Sequence, residues 1–361
     1  PMAKTLEQIL YTPNLIGLIE NPAGGVPDFL PPAFTKPGQR VDGDTAKWFE
    51  VTGNRQTARL VQYGSPSQRR EVRGAASRTA KFMHTHEHIH LNATTLMQLQ
   101  DYSNPQRQKL GMQTLANETK QARLYLDNLR LSAIYSILAL GAVYFDGNGN
   151  LLPSSTGSVT TVDFSVPANN KNQWNGIIGA SWATATTDII ADIKAVQRTA
   201  LQGTGYPLAH AFYGENLLGY FMGNDDVKEL LKTRNDLAGA FMNMEIPDGF
   251  LGLKWHPVES AFYNDSAGTN QAWFGVDALI LTPEPSPDWF EILEGTFPEP
   301  RNVGTVAADA SAIAGQIDEV SGMFTYAKLT DDPVGIRQNY GDTFLPTLKV
   351  PSAIYIGDVT P

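Results

Sequence analysis

Four histidines, His84, His86, His88 and His90, alternate with Thr85, Glu87 and Ile89. In an extended chain successive side chains point to opposite faces, so all four imidazoles fall on one face, with same-side neighbours roughly 7 Å apart. Imidazole is a common metal ligand and titrates near neutrality, so the chemistry on offer is metal coordination or pH-dependent charge. Zinc needs ligand nitrogens about 2.0 to 2.1 Å away on several sides at once. One strand cannot converge three of them, and a second strand or a second subunit would have to help. No carboxylate-bearing HExxH helix accompanies the run. The plainer expectation is a polar strand face hydrogen-bonded across a sheet. Metal ligation by His84, His86, His88 and His90 is the candidate set against it.

Other reactive constellations are missing. The chain has no cysteine, which removes disulfides, thiolate nucleophiles and cysteine metal sites. Gly203-Thr204-Gly205 runs on into Tyr206-Pro207 and completes neither a Walker nor a dinucleotide loop. No Gly-x-Ser-x-Gly elbow occurs. Outside the cluster only His210 and His256 could serve as bases, and each reads as a satisfied structural histidine. Asp146-Gly147-Asn148-Gly149-Asn150 begins like a calcium loop, but Leu151 stands where the glycine belongs and Gly157 where the bidentate glutamate belongs. It is expected to be a turn. No catalytic residue and no cofactor is expected, and an enzyme is the weaker class.

The elements that must position these residues are organised around Ser103 to Gly141. Asn104-Pro105 supplies an N-cap and a first-turn proline, and Gly141 a stop. Leu115, Thr119, Ala122, Leu126, Leu129, Ala133, Ile137 and Leu140 recur at spacings of three and four, with Arg123, Asp127 and Arg130 expected away from that face. At about 1.5 Å per residue this predicts a rod of roughly 50 Å. The apolar run Leu131 to Phe145 falls short of the about 20 residues a membrane span needs. A buried half is expected instead, covered by the turn at Asp146 and a late strand around Phe344.

Charge is segregated. The 361 residues carry a formal net charge of −10, which argues against nucleic-acid binding over the whole surface. Between Asn54 and Lys81, however, Arg55, Arg59, Arg69, Arg70, Arg73, Arg78 and Lys81 face Glu71 alone. The acids concentrate between Asp277 and Glu319, where Arg301 is the one base. One copy could dock on the opposite charge of another.

Along the chain, residues 1–44 are rich in glycine and proline yet carry Leu15, Ile16, Phe29, Leu30 and Phe34, and read as an arm lying on neighbouring chains, with a disordered tail as the plainer alternative. A chain beginning at Pro1 ahead of Met2 is expected to have lost something upstream, and no secretory signal is read near Pro1. Residues 45–91 read as a long basic hairpin turning at Gly64-Ser65-Pro66-Ser67 and running back as Gln68 to Arg73 and then Thr79 to Leu91, one strand through the histidines. After the helix come a hairpin at Val143 to Leu152, a strand at Val159 to Val166 and a helix capped at Asp188 that stops at Gly203. Two short helices follow, near Glu215 to Met222 and Asp225 to Leu231. Strands are expected at His210 to Tyr213, Leu251 to Val258, Ala272 to Leu281 and Trp289 to Phe297, an α+β arrangement.

That order, with Leu60-Val61-Gln62-Tyr63-Gly64-Ser65-Pro66 through Arg73, Leu124 to Leu140 followed by Asp146 to Leu152, Trp182 to Arg198, Asp331-Asp332-Pro333-Val334-Gly335-Ile336, Phe344-Leu345-Pro346 and Val350-Pro351-Ser352-Ala353-Ile354, resembles the major capsid proteins of tailed bacteriophages. Those proteins have the Hong Kong 97-like fold, and the resemblance is nearest the lambda-type major capsid protein E family. It implies an N-terminal arm (1–44), an extended loop (45–91), a peripheral domain with the spine helix (92–182 and 323–350) and an apical domain (183–322 and 351–361). The function it implies is self-assembly of hexamers and pentamers into an icosahedral shell around double-stranded DNA, in a virion assembled in the host cytoplasm. A decoration or cement protein, a portal and a scaffold or protease are the implied partners, with no membrane. Arg59, Arg69, Arg70, Arg73, Arg78, Asp331, Asp332 and Pro333 are the implied intersubunit contacts. The histidine-rich return strand departs from the family pattern, and Lys47 and Lys81 lie at the hairpin base, so no lysine crosslink is carried over. A shell of an encapsulin-type nanocompartment, and a metal-dependent hydrolase using the histidines, are the alternatives.

Overall fold

A computed structural model describes residues 30–50, 76–101, 103–233, 241, 246–258, 262–264, 270–300, 317–331 and 334–360. Its spine is the 36-residue helix Pro105–Leu140 (α2), preceded by the short helix Ala93–Gln100 (α1). The Asn104 side chain accepts from the N–H groups of Gln106 and Arg107, and Gly141 closes the helix in the left-handed conformation with φ 70°. A side chain there would be strained and would collide with Val166. Cap, first-turn proline and stop all stand where the sequence places them.

The main sheet is built on the 15-residue strand Val334–Leu348 (β17). Along its first half it is flanked by Phe324–Asp331 (β16) on one side and Met83–Asn92 (β4) on the other, both antiparallel. Its second half pairs with Phe290–Pro300 (β14), which carries Pro37–Val41 (β1) in parallel and Ile317–Ser321 (β15) antiparallel. The apolar half of α2, Leu131 to Leu138, shares one core with Phe344, Leu345 and Leu348 of β17 and with Val143 and Leu151 of the following hairpin, as the sequence predicts. That hairpin joins Ala142–Phe145 (β5) to Leu151–Leu152 (β6), with Thr160–Asp163 (β7) on the other side of β5. The Asp146 carboxylate accepts from the N–H groups of Asn148 and Asn150, which makes the run a turn.

A second sheet orders Lys254–Pro257 (β10), Leu208–Tyr213 (β9), Ala278–Pro283 (β13), Tyr355–Asp358 (β18) and Lys171–Asn172 (β8). Its alternation explains its place. Ala211, Tyr213, Leu279, Leu281 and Tyr355 pack beneath the helices Ile189–Gly203 (α3), Glu215–Gly223 (α4) and Asp225–Thr233 (α5), while Phe212 and Ile280 point the other way into the core shared with α2. Asp188 caps α3, and the Trp182 indole donates to Asp192 one turn in, at 2.9 Å. Both faces of this sheet are therefore covered, and the two sheets meet across one apolar mass. The small pairs Thr45–Glu50 (β2) with Ala76–Lys81 (β3), and Phe262–Asn264 (β11) with Asn270–Ala272 (β12), complete the α+β chain.

Two expectations need correction. The return strand is not continuous: β3 ends at Lys81, buried Phe82 breaks the run, and β4 leaves the hairpin to pair with β17. The histidines consequently belong to the main sheet. Arg130 is not on the outer face of α2 but is buried, for the reason given below. In the first half of α2, Leu115, on the apolar face the spacing predicts, packs on Leu99 of α1 and on Ile336 of β17.

Candidate intersubunit surface

Residues directly opposite each other in antiparallel strands share a face. The register of β16, β17 and β4 therefore sorts these three strands into two chemically distinct faces. Toward α2 go Ile336, Gln338, Tyr340 and Asp342 of β17 with Leu91, Ile89, Glu87 and Thr85 of β4. Away from α2 go His84, His86, His88 and His90, opposite Thr343, Gly341, Asn339 and Arg337.

The helix-side face is tied to α2 by polar contacts in a dry setting. The Arg130 guanidinium, 8% exposed, donates through Nε to Asp342 at 2.5 Å and through a terminal nitrogen to Glu294 at 3.1 Å, and lies over the Phe344 ring. Burial alone would favour losing the Arg130 proton, but the two carboxylates outweigh it and raise its pKa. Burial also raises the pKa of Asp342, only partly offset by Arg130. Eleven residues earlier on the helix, the Gln338 amide donates to the Thr119 hydroxyl at 2.8 Å. The Tyr340 hydroxyl donates to Glu87 at 2.8 Å, and burial followed by this bond raises its pKa.

On the other face each of the first three imidazoles has a neighbour other than a metal. His84 stacks on Phe297 with ring centres 4.9 Å apart and bonds the Thr343 hydroxyl through Nδ1 at 2.8 Å. Phe297 in turn stacks on Phe324 at 4.3 Å, and His86 leans on both rings and meets the Tyr326 hydroxyl at 3.3 Å. Burial against these rings lowers the pKa of His84 and of His86. His88 Nδ1 accepts from Arg337 at 3.2 Å, which places a permanent cation beside the row. Among the described residues no three metal-ligating side chains gather around a common point. The four imidazoles do share one face, as their spacing predicts, and the polar strand face is what they form.

The remaining sequence-predicted residues divide cleanly. Arg78 lies at the hairpin base, where it donates to Glu50 at 2.7 Å and to Ser165 at 2.9 Å. This partnership within one chain competes with the intersubunit role expected of it. Asp331 pairs with Val334 to close the β16–β17 hairpin, and Asp332 and Pro333 at its tip lie outside the described residues. Arg59, Arg69, Arg70 and Arg73 also lie outside them.

The acid-rich stretch is partly used internally. Asp277 accepts from Asn216 and Tyr220, Glu284 from Lys254, Glu291 pairs with Lys349, and Glu294 with Arg130. His210 and His256 satisfy each other at 2.9 Å, and His210 also reaches Glu284 at 3.0 Å. Because Glu284 also takes the Lys254 ammonium, it acts as the acceptor, so His210 carries its hydrogen on Nε2 and His256 donates to His210 Nδ1. Burial and then His210 push the His256 pKa down to about 4. Lys328 and Arg337 were missed by sequence reasoning. Their signal is the pairing register, which sets Lys328 opposite Arg337 and Arg337 opposite His90.

Among known proteins, the family model described as phage major capsid protein E matches residues 19–359. No curated protein matches the chain in sequence. Solved structures that resemble it include a protein assigned as a prophage capsid protein of Escherichia coli CFT073, 15% identical over 79% of each chain with a TM-score of 0.48. A phage-related protein of Bordetella bronchiseptica RB50 is 10% identical over 97% of each chain, also with a TM-score of 0.48. The mature capsid of bacteriophage PhiM1 is 11% identical over 93% of this chain and 88% of that one, with a TM-score of 0.43. The assignment rests on the family model, which spans nearly the whole sequence. The chain belongs to the phage major capsid protein E family.

Proposed function

We propose that this protein is the principal subunit of a phage head, with a Hong Kong 97-like fold, and that its work is mechanical: many copies close an icosahedral shell around packaged double-stranded DNA. The observation that carries this reading is the family match over residues 19–359. The build of the molecule supports it, since a stiff helix backed by a long strand suits a subunit that must hold its shape while its extensions reach other copies. In this reading α1, α2 and the main sheet form the peripheral domain, and the second sheet with its three helices forms the apical domain. The chain start, of which Leu30 and Phe34 are buried in the shared core, is the anchored end of an arm. Hexamers and pentamers, a portal, a scaffold or protease and a decoration protein belong to the same reading, as does assembly in the host cytoplasm. No helix among the described residues is long and apolar enough to cross a membrane.

Arg59, Arg69, Arg70 and Arg73 are assigned to contacts with a neighbouring copy, where they would meet carboxylates left over from the Asp277 to Glu319 stretch. The stretch Asp331-Asp332-Pro333 is assigned to a second such contact. Expression of the chain followed by sedimentation and negative-stain imaging tests the reading: shells of uniform size are expected. Reversing Arg69 and Arg70 to glutamate should abolish the shells and leave folded, small species. A wild-type chain that stays small with its assembly partners present would overturn the shell, and normal shells from the double variant would overturn the arginine contact alone.

A further inference from the structure

The face of β16, β17 and β4 turned away from α2 packs the Phe297 ring against His84, His86 and Phe324, and beyond that stack Lys328 and Arg337 stand exposed. Reading the register across the three strands, Lys328, Arg337 and His90 form one line, Tyr326, Asn339 and His88 the next, and Phe324, Gly341 and His86 the third. Lys328, Arg337 and all four histidines are exposed, whereas Asn339 and Phe324 beneath them are buried. On this face the central strand carries Gly335 and Gly341, where the Leu91 and Thr85 carbonyls of β4 and neighbouring rings leave no room for a Cβ. A Cβ at Gly341 would stand 2.5 Å from the Phe324 ring, and one at Gly335 would stand 2.8 Å from His90. The result is a flat shelf floored by rings and backbone and studded with cationic and imidazole groups.

Among the described side chains of this face the permanent charges are Lys328 and Arg337. The carboxylates borne by β4 and β17, Glu87 and Asp342, sit on the opposite face and are spoken for by Tyr340 and Arg130. A metal ion is a poor guest here, since Arg337 donates to His88 and Lys328 stands in line with it. An anion is the fitting guest. The open edge of β4, which has no strand partner among the described residues, adds unpaired backbone donors beside the shelf.

We propose that this shelf docks an acidic surface of a second copy of the same chain. The occupant follows from charge balance. The chain carries −10 overall, and the stretch from Asp277 to Glu319 has acids that the fold leaves unspent, such as exposed Asp288. Nucleic acid fits less well. Affinity for a phosphate backbone grows with the number of phosphates that Lys and Arg neutralise, and this face offers two permanent cations. A protein carboxylate pair needs no more than that, and planar Arg337 suits a bidentate carboxylate contact. The inference rests on the shell reading and adds a third contact, besides those assigned to the arginines and to Asp331-Asp332-Pro333.

The test is the double variant Lys328→Glu with Arg337→Glu in the full chain, compared with wild type in a concentration series read by sedimentation. Wild type is expected to form shells whose threshold concentration rises with salt. The variant should need at least tenfold more protein to assemble, or fail to assemble, with an unchanged melting temperature. The neutral pair Lys328→Gln with Arg337→Gln should fall between, which guards against a fold artefact of charge reversal. Variant shells at the wild-type threshold would overturn the proposal, and so would normal shells that lose only co-purified nucleic acid by absorbance, since that result assigns the shelf to nucleic acid. If wild type itself never assembles, the shell reading fails and the charge reversal has nothing to act on, so the two failures are told apart.

Discussion

The two faces of the β16–β17–β4 patch are made from the same three strands, and both are polar, yet they do opposite things. On the helix side the polar side chains are paired, Arg130 with Asp342 and Glu294, the Gln338 amide N–H with Thr119 and Tyr340 with Glu87, and only the Gln338 Oε1 among these groups is left without a partner. At its centre water is excluded, Asp342 and Gln338 being fully buried. On the far side Lys328, Arg337 and His90 stay in solvent. A buried polar group without a partner costs roughly 1 to 3 kcal/mol, so the inner face must be matched within the chain, while the outer face is free to wait for another molecule. Polarity in a strand therefore does not by itself say which side is core. Partnership does.

The comparison can be broken most severely at Arg130. Arg130→Ala leaves Asp342 and Glu294 buried against each other and should destabilise the fold by about 3 to 5 kcal/mol, read as a lower melting temperature and denaturant midpoint. Arg130→Ala with a stability equal to wild type would show that the inner face is not held by its charges. A smaller effect belongs to Tyr340→Phe, which removes one bond to Glu87 and should cost about 1 kcal/mol. The smallest lies on the outer face. His84 and His86 have depressed pKa values from burial against Phe297 and Phe324, with Asp342, Arg337 and His88 as the charged or titratable neighbours. The unfolded chain then binds protons first as pH falls through about 6.5, so these two groups contribute stability that is present above that pH and lost below it. Replacing both with glutamine should flatten the stability profile between pH 7 and 5, and an unchanged slope would show that the rings are not sheltered.

Much of this was readable in residue types. The Asn104-Pro105 start, the Gly141 stop and the apolar half of α2 depend on local chemistry, and the structure keeps them all. The Asp146 turn and the Asp188 cap are equally local. The period of the histidines was also sufficient to put four imidazoles on one face. What stayed hidden depends on pairing at long range. Arg130 looks like an outer-face cation until Asp342, more than 200 residues later, is brought beneath it. The break at Phe82 looks like any strand residue, because what ends the hairpin is the demand of β17 for a partner. Lys328 and Arg337 carry no motif, and only their register opposite His90 makes them a group.

Two of the inner-face bonds also set a mechanical property. Thr119 and Arg130 are eleven residues apart on α2, about 16 Å along a helix, and their partners Gln338 and Asp342 are four apart on β17, about 13 Å along a strand. The helix and strand are thus riveted at two points of nearly equal pitch. Sliding one past the other would shear both rivets at once, so the pair must flex as a single laminated beam, stiffer than the two members bent separately. Load arriving at one end of α2 passes into the sheet at Thr119 and again at Arg130, and is shared across its strands before it reaches the other end.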